Sequence, residues 1–132
     1  MNLRIDRKKL EKLCRKHKIR LLVLHGSYAT QNENPKSDID IGVLRREKVD
    51  SDKKLAIMDD FSELFGDKFD PVFLNGAEPL ISYQVAIHGS PLFEAEKGSF
   101  SEFRIHALAR YMDSKKFRIL EKLYVKHALG KE

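Results

Sequence analysis

Apolar residues along the chain switch between two periods, and the switches mark out alternating helical and extended segments. Residues 6–18 place Leu10, Leu13 and Cys14 on one face at spacings of three and four, with Ile5 beside them, which predicts an amphipathic helix capped by Asp6. The run 20–25 is apolar and ends at a glycine, the pattern of a buried strand. Segment 26–36 opens with Gly-Ser and turns polar, predicting one short helical turn and then a loop. Residues 38–44 alternate: Ile39, Ile41 and Val43 point one way, Asp38, Asp40 and Gly42 the other. A second helix is expected over 52–65, with Leu55, Met58, Phe61, Leu64 and Phe65 as its stripe, Ile57 beside it and Gly66 as its stop. Residues 68–74 form a third strand, and Pro71 assigns it to a sheet edge or a bulge. A helix opened by Pro79 follows over 79–88, then a short strand over 91–95. Residues 99–127 read as helix, with a break expected at Asp113-Ser114.

These elements predict a single domain over 1–132 of α/β (α+β) class, a small mixed sheet flanked by helices, with a C-terminal helical extension from about 99. With 34% charged and 42% hydrophobic residues the chain reads as globular and not disordered. No apolar run approaches a membrane span and the N-terminal stretch has no signal-like core, so a cytoplasmic location is expected. One cysteine excludes an internal disulfide and a cysteine-built zinc site.

The net charge of +5 is unevenly spread. Residues 1–20 carry nine Lys/Arg against two acids, residues 21–95 seven against thirteen, and residues 96–132 nine against five. An acidic middle between basic ends suits a cation site flanked by surfaces for phosphate or an anionic partner, although lysine-rich helix faces in water account for many of these residues equally well.

Three acids interrupt otherwise apolar strands: Asp38, Asp40 and Asp70. Buried carboxylates are costly unless paired or bound to a metal. Asp38 and Asp40 are two apart on one strand and share a face; a third acid from a neighbouring strand would complete an all-oxygen site of the kind that suits magnesium. Just upstream, Gly26 and Ser27 open a turn after a buried strand. Glycine allows close approach of a phosphate, and the hydroxyl and helix-start amides supply donors.

In this arrangement the chain resembles the polymerase-beta-like nucleotidyltransferases. Gly26, Ser27, a ten-residue gap and Asp38-Ile39-Asp40 match that family's Gly-Ser-x10-Asp-x-Asp signature, and the stretch 26–44 is similar to the minimal nucleotidyltransferases. Asp70 and the proline-opened helix that follows continue the match, which spans roughly 5–126. The chain departs from the family at His25, Thr30 and Gln31, where phenylalanine, arginine and glycine are frequent, and at Pro71. The resemblance implies two magnesium ions held by Asp38, Asp40 and Asp70, ATP as substrate with its phosphates on Gly26 and Ser27, and Asp70 holding an ion or accepting the proton of an attacking hydroxyl. It also implies a partner, a helical HEPN ribonuclease toxin, adenylylated on a tyrosine by this chain acting as antitoxin. Two other readings stand beside it: transfer to a small molecule or an RNA end, and a non-catalytic module that binds the toxin. His17, His88, His106 and His127 show no metal-ligand spacing. His25 is expected either at a phosphate or packed at a strand end, and Arg45 and Arg46 either at a phosphate or in water. Tyr111, Phe117 and Cys14 are expected to pack.

Overall fold

The computed structural model describes residues 5–26 and 38–130. The expected turn and loop after Gly26, and with them Ser27, Thr30 and Gln31, lie outside the described residues. Helix α1 (Arg7–Lys16) begins where the Asp6 carboxylate accepts from the amides of Lys8 and Lys9, at 3.0 and 3.3 Å. Strand β1 (Ile19–His25), strand β2 (Ile39–Arg45), helix α2 (Ser51–Phe65), strand β3 (Phe69–Phe73), helix α3 (Pro79–His88), strand β4 (Ser90–Glu94) and helix α4 (Ser99–Leu129) follow in order.

The four strands form one sheet in the order β3-β2-β1-β4. β1 pairs antiparallel with both β2 and β4, and β2 pairs parallel with β3, so the sheet is mixed. β3 is an edge strand, where Pro71 deprives no neighbour of an amide donor. Strand alternation gives the sheet two covered faces. Leu22, Leu24, Ile39, Ile41 and Val43 pack with Leu10 and Cys14 of α1 and with Ile57, Phe61 and Phe65 of α2. Leu21 and Val23 pack on the other face with Leu74 and Val85, and Phe100 and Phe103 of α4 close over them.

Three expectations are corrected. α4 is one continuous helix of 31 residues, unbroken at Asp113-Ser114. Aspartate and serine each cost a helix interior only about 0.5 kcal/mol, too little to stop it. Phe117 does not pack: it is 67% exposed. In α2 the buried face runs through Ile57, Phe61 and Phe65, while Leu55 and Met58 face water, because the packed stripe is narrower than the apolar one. Cys14 is fully buried, and burial holds its thiol well above the usual range, so it is a packing residue.

Candidate active site

Register across three strands builds a row of polar side chains at one end of the sheet. His25 of β1 stands opposite Asp40 of β2, and Asp40 stands opposite Asp70 of β3. Directly paired residues share a sheet face, so all three project toward the α3 side, on the same side as Gly42. Ile39 and Ile41, flanking Asp40, are buried on the opposite side and lock the strand in that orientation. Asp38 lies just before β2 and is exposed.

The electrostatics show how close the acids are. Asp40 is pushed up to about 6, first by partial burial, then by the hydrogen-bonding reach and charge of Asp70, then by the charge of Asp38. Two carboxyls this near oppose each other's ionisation in the absence of a cation, so Asp40 keeps its proton to a higher pH than a free carboxyl does. Among the described residues no group of three or more His, Cys, Asp or Glu side chains is placed to hold a metal ion. Magnesium does not require one, since it is commonly held by one or two carboxylates, water and the phosphates of a substrate. The donor set therefore fits that ion: acceptor-only oxygens, crowded and short of positive charge.

Gly26 ends β1 with a φ of +72°, the left-handed region that suits glycine. A methyl group on its α-carbon would overlap the Asp40 carboxylate. The missing side chain thus makes room for the Asp40 carboxylate, at the place where the sequence predicts a phosphate cradle. Ser27, the cradle's second predicted member, lies outside the described residues.

His25 is drawn into this row and is not merely a packed strand end. Its buried Nε2 has no hydrogen-bond partner among the described residues. Burial pulls its pKa below the ordinary imidazole value, with the Asp70 charge opposing. His25 and Gly26 line an open cleft of about 310 Å³ with Gln84 and His88 of α3. Gln84 and His88 carry no motif; their only sequence signal is a spacing of four at the end of the proline-opened helix. Arg45, by contrast, is structural. It is 6% exposed and donates to the carbonyls of His17 and Lys48 at 3.0 and 2.6 Å. Arg46 pairs with Glu96 at 2.6 Å.

A sheet of this order, with a glycine turn beside paired acids, defines a nucleotidyltransferase. The chain belongs to the family described as Polymerase beta, Nucleotidyltransferase, which matches residues 8–98. It is 32% identical over 108 residues to the protein adenylyltransferase MntA of Aphanizomenon flos-aquae, covering 74% of this chain and 72% of that protein. Its fold is similar to a toxin-antitoxin crystal structure with AMP-PNP, at a TM-score of 0.71 and 24% identity over 90% of this chain and 98% of that one. It is also similar to the structure of a tri-AMPylated Shewanella oneidensis HEPN toxin in complex with MNT antitoxin, at 0.64 and 23% over 89% and 95%. No helix among the described residues is long and apolar enough to cross a membrane.

Proposed function

We propose that this chain is a magnesium-dependent adenylyltransferase of the antitoxin type. It transfers AMP from ATP to a tyrosine of a cytoplasmic HEPN ribonuclease toxin. The observation that carries this reading is the Asp40–Asp70 pair beside Gly26, on a chain whose relative MntA is a protein adenylyltransferase.

The tyrosine oxygen forms a bond to the α-phosphorus of ATP, the bond from that phosphorus to the bridging oxygen breaks, and pyrophosphate leaves in line. Asp38, Asp40 and Asp70 would hold magnesium, which supplies positive charge for the developing oxyanions and lowers the pKa of a bound hydroxyl. Asp40 is the central residue of the row and fixes where the α-phosphate lies. Asp70, more exposed on the edge strand, accepts the tyrosine proton. Gly26 and Ser27 would hold the outer phosphates through backbone amides and the hydroxyl, so the leaving pyrophosphate would be oriented and hydrogen-bonded as it departs. The chain's share of catalysis is positioning and charge neutralisation.

Co-expression with a HEPN ribonuclease toxin, followed by intact-mass measurement, tests the proposal. The expected result is a toxin carrying one or more adenylyl groups, abolished by Asp40→Asn. A toxin that is neutralised yet unmodified contradicts catalysis and favours binding alone.

A further inference from the structure

A second opening lies between the sheet and the helices α3 and α4, away from the acid row. It is a cavity of about 190 Å³ that reaches Arg20 of β1 and Leu44 of β2. Leu44 is four residues beyond Asp40, about 13 Å along the strand at ~3.3 Å per residue. Arg20 stands five residues before His25 on the neighbouring strand. The cavity shares no residue with the cleft that His25 and Gly26 line.

Its lining points to a ligand in three ways. Ser82 of α3 lines it and is only 1% exposed, yet its Oγ has no hydrogen-bond partner among the described residues. A serine inside a helix can return its hydroxyl proton to the carbonyl four residues back. Here the Glu78 carbonyl accepts from the Ser82 amide, at 3.1 Å, and not from the hydroxyl. Folded chains leave few buried polar groups in that condition. Next, two guanidiniums are held at the cavity. Arg110 donates to the Ala77 carbonyl at 3.0 Å, and Arg20 pairs with Glu102 at 2.8 Å. A guanidinium carries five N–H donors, so these contacts aim the two groups without exhausting them. Two positive charges stand there against the single carboxylate of Glu102. Finally, the wall between the polar groups is apolar, built from Leu74, Phe103 and Ala107. A bare inorganic anion would leave that wall uncovered. A cavity of about 150 Å³ accepts a benzene ring, so the space here suits a body of that size carrying an acid group.

We infer that this cavity binds a small organic carboxylate. Its acid group is held between the Arg20 and Arg110 guanidiniums and the Ser82 hydroxyl, and its apolar body packs on Leu74, Phe103 and Ala107.

Titration of the full chain with sodium benzoate, followed by calorimetry and by amide NMR shifts, tests this. The expected result is saturable binding in the millimolar range, appropriate to so small a ligand, with shifts centred on Leu74, Ser82 and Ala107 and not on His25 and Asp40. Benzyl alcohol lacks the charge and inorganic phosphate lacks the apolar body; each binds at least about tenfold more weakly. Arg110→Gln weakens benzoate by about tenfold. Glu102→Gln removes the competing carboxylate and tightens it by about threefold. Ser82→Ala weakens it several-fold without lowering the melting temperature, because the ligand-free chain loses no hydrogen bond; a serine that served only the fold would show the reverse. The inference is overturned by the absence of saturable shifts, by shifts confined to the acid row, or by phosphate matching benzoate. Benzoate affinity unchanged in Ser82→Ala or in Arg110→Gln overturns it as well, and so does benzylamine binding in benzoate's place, which would make Glu102 the anchor. None of these outcomes bears on adenylyl transfer, which is read separately by toxin mass.

Discussion

Asp40 bears opposing demands. Its strand buries both neighbours, and partial burial of its own carboxyl, with Asp70 and Asp38 close by, pushes its pKa up to about 6. Because that value lies above the ordinary 3.8, the folded chain binds a proton between about pH 4 and 6 that the unfolded chain has released. Ligand-free stability therefore falls as pH rises through this window, and Asp40→Asn removes that part of the slope. Melting temperatures of the two proteins from pH 4 to 7 check it; the variant's advantage should grow with pH. Gly26→Ala strikes the same atom from the backbone side. It costs about 1 kcal/mol of stability for the left-handed φ, and a much larger loss of transfer rate because the methyl overlaps the Asp40 carboxylate. Asp38 and Asp40 were legible in the sequence because strand alternation puts them on one face without any knowledge of neighbours. His25 was ambiguous because its place in the row depends on the register between β1 and β2, which one strand's pattern does not encode.

At the scale of elements, the edge strand that carries Asp70 depends on an aromatic stack behind it. Phe61, Phe65 and Phe69 lie with ring centroids 5.3 to 6.3 Å apart, two from α2 and one from β3. Phe61→Ala removes the fully buried ring at its base and is expected to cost about 3–5 kcal/mol, measured by urea unfolding. At temperatures where the variant is still folded, its transfer rate falls further than Asp70's distance from the mutation alone suggests, because β3 loses its backing. A hydrogen-bonded corner ties α1 to α2: Asp60 accepts from Lys16 Nζ at 2.9 Å and lies 2.6 Å from the nearly buried His17 Nε2. Helix limits followed from caps and breakers, Asp6, Gly66 and Pro79, since these act on the local backbone. Which part of an apolar stripe is covered did not follow, as Leu55 and Phe117 show, because covering depends on where other elements end.

On the scale of the molecule, the sheet divides labour between its faces. α1 and α2 seal one face as core. α3 and the first part of α4 cover the other but leave its end open, where His25, Asp40 and Asp70 line up beside Gly26. The acidic middle of the sequence is therefore partly a site and partly surface: Asp38, Asp40 and Asp70 gather, while Glu47 and Asp60 serve ion pairs with Lys18 and Lys16. The basic ends separate likewise into α1 and the free end of α4, neither of which supplies a residue to the row. The central claim is that carboxylates on adjacent strands hold the metal-nucleotide for transfer. Its most direct measurement is the rate of AMP transfer from ATP to the purified toxin by wild type and by Asp40→Asn, with magnesium present. The account predicts a loss of at least about 100-fold with the fold retained; transfer by Asp40→Asn at the wild-type rate would contradict it.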